Sequence, residues 1–289
     1  MSGLSLTRRR KLTGQMWMGI CGVFAAAVAI VLLLIMGYIV REGIGAISIP
    51  FLTRLPRPTG ISGGGVANGI VGTLIIVGIA TLMAFPVGVL VGTYLAVYSH
   101  KRVAELLSFI ADVLAGVPSI AIGIFAYKLL VEPFRHFSAF SASFAFAVLM
   151  IPLVVRATEA AIAIVPRELR EAATALGAPE SRVVLKILVV AARPGIITGL
   201  LLALARVTGE TAPLLFTAFG SQYWEFSPSQ PMAELSLQIF TYAISPYSDW
   251  QAQAWGGALI LIVAVFVLSV LARLSILLGR EGRGYGHNI

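Results

Sequence analysis

Arg206 and Glu210 stand four residues apart in the apolar run Val190–Phe219, whose only other charged residue is Arg193 near its start. On an α-helix residues i and i+4 share a face, so this guanidinium and carboxylate can pair. An arginine at the centre of a membrane span costs about 2.5–3.5 kcal/mol on insertion scales. An apolar residue would be cheaper, so the charge argues for a role; the alternative is a structural ion pair that fixes helix packing. Pro213 has no N–H and frees the carbonyl of Gly209, and Gly209 itself weakens the helix. A cation, a carboxylate and an opened backbone within two turns suit a polar pathway through an apolar medium. Thr208 and Thr211 add hydroxyl donors, although threonine is common in such helices.

The remaining polar residues of the apolar runs read differently. Asp112 precedes Pro118, which frees the carbonyl of Leu114, while Gly116 and Gly123 allow close helix packing. Asp112 is assigned to the cytoplasmic interface, with lining the pathway as the alternative. Arg156 and Glu159 are read as an interfacial pair. The single cysteine, Cys21, excludes an internal disulfide and a multi-cysteine metal site. His100, His136 and His287 are far apart in sequence and suggest no metal cluster.

The elements that hold these residues follow from composition. Hydrophobic residues are 58% of the 289, charged residues 12%, and mean hydropathy is +0.93. An ordinary globular domain carries roughly 25% charged residues, so the solvent for most of this chain is lipid. Six stretches have the ~20 apolar residues that a bilayer core needs: Met16–Val40, Gly69–Val97, Leu106–Val131, Ser141–Val165, Val190–Phe219 and Trp255–Leu278. Uninterrupted apolar runs without strict alternation exclude a β-barrel. The first run follows Arg8, Arg9, Arg10 and Lys11 but is too long for a cleaved leader, and is read as a signal anchor. The net charge of +8 sits in short loops and marks orientation rather than nucleic-acid binding. With the N-terminus inside, fourteen Lys and Arg fall on the cytoplasmic side and five (Arg41, Arg54, Arg57, Lys128, Arg135) on the other. Both termini are therefore expected in the cytoplasm. Residues 41–65, rich in Pro and Gly, read as a linker, and residues 220–254 as an outer loop whose segment from Met232 is read as an interfacial helix with an aromatic belt, with a binding element as the alternative.

The cytoplasmic loop 166–189 reads as helix, break, helix. Glu168 to Leu176 is rich in helix formers, Gly177 is a C-terminal stop, and Pro179 suits the first turn of the next helix. Such a protrusion can seat in a cleft of a partner, or it can be a mere connector with solvated charges. Glu171–Ala172–Ala173, then Gly177, then Ile187 resembles the EAA loop of binding-protein-dependent ABC importer permeases, with Val189–Val190 where that family has Leu-Pro. The stretch from Ala205 to Phe216, ARVTGETAPLLF, resembles the fifth span of the PstA family of phosphate importer permeases; Ala115–Ile120 and the pairs Gln230–Pro231 and Ser245–Pro246 do so as well.

That resemblance covers about residues 66–279 and implies an all-α membrane protein with six transmembrane helices, the type I importer permease fold and cytoplasmic coupling helices. It divides the chain into 1–65 (tail, first helix, linker), 66–279 (importer transmembrane domain) and 280–289 (tail). By resemblance, Glu171, Ala172, Ala173 and Gly177 dock on an ATPase, while Arg206, Glu210, Thr208, Thr211 and Ser119 line the substrate pathway. The implied partners are a second permease of the PstC type, a dimeric ATPase of the PstB type, an extracytoplasmic phosphate-binding protein of the PstS type, and membrane lipid, with no nucleic acid. No GxxxxGK[ST] loop is present, so ATP and Mg2+ are expected on the partner ATPase, with no cofactor on this chain. A bidentate guanidinium suits phosphate, and Glu210 can accept the O–H of hydrogen phosphate. A permease for another oxyanion or small solute is the alternative. A channel or secondary transporter would leave the coupling loop without a purpose, and a scaffold would leave Arg206 and Glu210 without one.

Overall fold

The computed structural model of the chain describes residues 3–58, 61 and 63–281. Residues 282–289, with Arg283, His287 and most of the 280–289 tail, lie outside the described residues, as do the side chains of Arg8, Arg9 and Arg280. The described chain forms helices α1 (Gly3–Gly43), α2 (Ile49–Thr53), α3 (Ala67–Val97) and α4 (Arg102–Gly116). There follow α5 (Ser119–Phe134), α6 (Ala139–Ala163), α7 (Arg167–Ala175), α8 (Glu180–Val207), α9 (Leu235–Ala243) and α10 (Ser248–Glu281). Helices α1, α3, α6, α8 and α10 are each long and apolar enough to cross a membrane, and α4 with α5 adds a sixth crossing only as a pair bent by 103°.

Apolar side chains gain little by leaving lipid for protein, so helices in a membrane associate through close packing. The α3–α6 contact shows how this is achieved. A Cβ on Gly88 would lie 2.6 Å from Val154, and one on Gly92 would lie 2.7 Å from Cβ of Thr158. Gly199 of α8 fits against Ala157 in the same way. The core between these helices contains Ile76, Phe146, Met150, Val154, Val207 and Leu214. Helix α1 stays at the edge, pinned at its end by Tyr38 edge-on to Trp255, with ring centroids 5.2 Å apart.

Several expected boundaries move for local reasons. The third span is not straight. Gly116 ends α4, Pro118 has no N–H to continue it, and Val117, like residues before proline generally, is extended (φ −69°, ψ 131°). The fifth span ends at Val207 rather than Phe219. The last helix begins at Ser248, seven residues before the expected Trp255. The linker is more than a spacer, because Ser48 caps α2 and Phe51 is buried with Val66 and Leu235. Helix α9 buries one face and leaves Phe240, Thr241 and Ala243 exposed on the other. Leu235, Ser236, Leu237 and Tyr242 are buried, and the helix packs against α3 and α10.

Candidate functional site

The end of α8 forms an irregular segment. Thr208 N–H still reaches Leu204 O at 3.0 Å, Glu210 N–H turns back to Val207 O at 3.0 Å, and a single tight turn, Leu214–Phe216, follows Pro213. Gly209 and Pro213 are the two poorest helix formers, so this is where the ladder fails. The i, i+4 pairing of Arg206 with Glu210 therefore does not occur. Glu210 has left the helix, and the two side chains form no ion pair. Arg206 is exposed on the last turn, where the helix dipole favours a cation, and has no ion-pair partner among the described residues.

The other pathway candidates separate. Thr208 is buried and gives its hydroxyl proton to Leu204 O at 2.7 Å, so it is not the free donor expected of it. Thr211 is half-buried within the break, and its carbonyl accepts from Leu214 N–H. Ser119 opens α5. One turn later on the same helix face, Gly123 lies against the break, where a Cβ would come within 2.7 Å of Pro213 Cα. The fold thus brings the Ala115–Ile120 stretch and the Gly209–Phe216 stretch together, two interrupted helices meeting at their breaks.

A second charged cluster joins α4 to α6. Arg156 donates through Nη1 to Glu159 Oε2 at 2.6 Å, through Nε to Asp112 Oδ1 at 3.1 Å, and through Nη2 to the Ser108 carbonyl at 3.0 Å and hydroxyl at 2.8 Å. The Arg156–Glu159 pair read from the sequence is present. What sequence reasoning missed is Asp112, 44 positions away.

At the opposite end of α8, α7 closes as a Schellman motif. Ala178 N–H reaches Ala173 O at 3.1 Å, Gly177 N–H reaches Thr174 O at 2.9 Å, and Gly177 takes φ +77°. A Cβ there would meet nothing within 4 Å, so the demand for glycine comes from the backbone alone. Glu171 and Ala172 are exposed, whereas Ala173 is buried. Leu176 is 89% exposed and was missed; with Leu169 and Ala172 it completes an i, i+3, i+7 stripe legible in the sequence. Beside this helix lies a cleft of about 780 Å3 lined by Arg167, Arg170, Glu171, Thr174, Ser99 and His100.

Sequence reasoning also passed over Glu234, a fully buried carboxyl at the N-terminus of α9. The signal for it was an acid immediately ahead of an apolar helical run.

This geometry has known counterparts. The family model for "Binding-protein-dependent transport system inner membrane component" matches residues 88–277. A Haemophilus influenzae protein named phosphate transport system permease protein PstA is 44% identical over 82% of this chain and 84% of its own length. The Yersinia pestis protein of the same name is 43% identical over 81% and 80%. Among solved structures, a chain of the MetNI methionine ABC transporter in an inward-facing conformation superimposes with a TM-score of 0.63. It is 18% identical, and the match covers 79% of this chain and 98% of that one, which identifies the fold.

Proposed function

The chain belongs to the binding-protein-dependent transport system inner membrane components, and from that membership we propose that it conducts inorganic phosphate through the break at the end of α8. It is a multi-pass inner-membrane permease and not an enzyme, and it works with an ATPase and a substrate-binding protein. Within that class we assign a PstB-type ATPase dimer, a PstS-type binding protein and a PstC-type second permease as its partners. ATP and Mg2+ belong to the ATPase, and both termini face the cytoplasm with the 166–189 loop.

One observation carries the assignment of the path. Arg206 lies at the end of an interrupted apolar helix with no ion-pair partner among the described residues. A structural arginine at membrane depth needs a partner to offset its cost, whereas one that lines a polar path can meet a passing anion. Its planar fork matches two phosphate oxygens, and Glu210, half-exposed in the break, can accept the O–H of hydrogen phosphate. The start of α5 is bent against the same segment, with Gly123 meeting Pro213 one turn into the helix. Thr211 and Ser119 are the hydroxyls left to complete the path, while Thr208 acts through the backbone it caps.

Replacing Arg206 with Gln is expected to lower phosphate uptake at least about tenfold, a loss of roughly 1.4 kcal/mol in transition-state stabilisation, with complex abundance in membranes unchanged. The Arg206→Gln, Glu210→Gln pair should remain inactive. Near wild-type uptake per complex by either variant would defeat the path assignment.

A further inference from the structure

Glu234 buries a carboxyl that no step above uses. It caps α9, with Oε2 accepting from Leu237 N–H at 3.0 Å and contacting Ser236 Oγ at 2.6 Å, while Oε1 lies 3.1 Å from Thr73 Oγ1 on α3. Both hydroxyls have a second acceptor in reach. Ser236 Oγ is 3.0 Å from the backbone carbonyl of Glu210, and Thr73 Oγ1 is 2.8 Å from the carbonyl of Gly69 while accepting Leu235 N–H at 2.9 Å.

Counting protons separates the two states of the acid. Each hydroxyl donates one proton. Four contacts require a donor: Gly69 O, Glu234 Oε1, Glu234 Oε2 and Glu210 O. With Glu234 ionised, two protons serve four contacts, and the carboxylate, as the stronger acceptor, draws the Ser236 proton away from Glu210 O. With Glu234 protonated, its own O–H donates to Ser236, and Ser236 donates onward to Glu210 O. Only the neutral acid completes the line from α9 to the broken segment.

We infer that Glu234 is a positioning residue for the translocation path: a neutral acid whose proton lets Ser236 hold the Glu210 carbonyl, so that ionisation releases the segment carrying Glu210. This rests on the reading of that segment as the phosphate path.

The surroundings favour the neutral form near neutral pH. Burial, the largest influence, pushes the Glu234 carboxyl up to about 7 against the hydrogen bonds from Ser236, Leu237 N–H and Thr73. By sequence, the titratable groups on the elements around it are Arg206 and Glu210 at the break, Tyr223 and Glu225 in the loop before α9, Tyr242 on α9, Asp249 at the start of α10 with Arg273, Arg280 and Glu281 toward its far end, and Arg41, Glu42, Arg54 and Arg57 in the linker. Helix α3 has only Tyr94, at its far end. Because the folded-state value is raised, the stability from this group is fully present below the ordinary carboxylate range and is lost as pH rises through about 7. The link to Glu210 follows the same direction.

The test uses the complex of this chain with its partner permease and ATPase, in membrane vesicles supplied with phosphate and its binding protein. Phosphate titrates in the same range, so the readout is the ratio of Glu234→Gln to wild type at each pH. The amide keeps a donor toward Ser236 and cannot ionise, although its nitrogen no longer accepts from Leu237 N–H. The ratio should rise about tenfold between pH 6 and pH 8, as the neutral fraction of wild type falls. A flat ratio, or an assembled Glu234→Gln complex inactive at every pH, overturns the inference. A second variant, Ser236→Ala, should assemble, transport slowly at pH 6 and show no gain at any pH from adding Glu234→Gln; wild-type uptake by it also overturns the inference. Infrared difference spectra of the purified complex at pH 6 should show a protonated carboxyl that Glu234→Gln removes, and its absence would equally sink the idea. That band and the Ser236→Ala result do not depend on Arg206, so a failed path assignment and a failed role for Glu234 are distinguishable.

Discussion

Arg156 and Arg206 are both arginines at the level of the membrane spans, and their surroundings separate them. Arg156 is shared by two carboxylates and the Ser108 carbonyl and hydroxyl across α4 and α6, whereas Arg206 has no ion-pair partner among the described residues. Asp112 is 65% exposed on its side chain, which screens the pair and moderates its worth. Arg156→Gln is expected to lower complex abundance in membranes, because it strands Asp112 and Glu159 as unpaired acids. Adding Asp112→Asn and Glu159→Gln should restore abundance, since no charge then lacks a partner. Unchanged abundance of the single variant on a quantitative blot would show that the cluster does not hold α4 to α6. Arg206→Gln should give the reverse pattern, with abundance kept and uptake lost.

The 166–189 loop shows how a single backbone angle sets an element. The Schellman closure at Gly177 turns the chain between α7 and α8 and leaves Glu171, Ala172 and Leu176 facing outward. A left-handed conformation costs an L-residue roughly 1–2 kcal/mol, and a β-branched side chain more than asparagine. Gly177→Val is therefore expected to abolish uptake and reduce copurification of the ATPase while the chain stays in the membrane. Gly177→Asn should keep most of both. Equal behaviour of the two variants would rule out the turn as the origin of the effect, because a Cβ at this position meets no neighbour within 4 Å. The sequence shows this element almost in full, including the glycine stop; Pro179 stands one residue earlier than expected, as the residue before Glu180. The inward turn of Ala173 was not legible, because it depends on packing beneath α7.

At the scale of the whole molecule, the long helices and their loops imply sidedness. Cys21 is the sole cysteine, so a Cys21→Ser background leaves the chain free of thiols. Ser181 is exposed at the start of α8. A Ser181→Cys reporter is expected to react with an impermeant maleimide only after cells are opened. Labelling in intact cells would invert the topology and place the 166–189 loop outside.

Composition and apolar runs alone determined that this chain is a bundle of membrane-crossing helices, because a bilayer sets helix length directly and hydropathy reads it. The EAA spacing and the ARVTGETAPLLF stretch pointed to the permease class for the same reason: local residue order carries them. Tertiary structure decided what depends on neighbours distant in sequence. Gly209 and Pro213 announced a weak helix, yet whether Glu210 stayed on the Arg206 face depended on where the ladder failed. Pro118 announced a break, but the 103° bend that lays α5 against Pro213 required both segments to be in place. Asp112 found Arg156, and Glu234 found Thr73, only after α4 packed on α6 and α9 settled against α3. A buried polar group must be satisfied by whatever the fold brings to it, and that partner is not written in its own stretch of sequence.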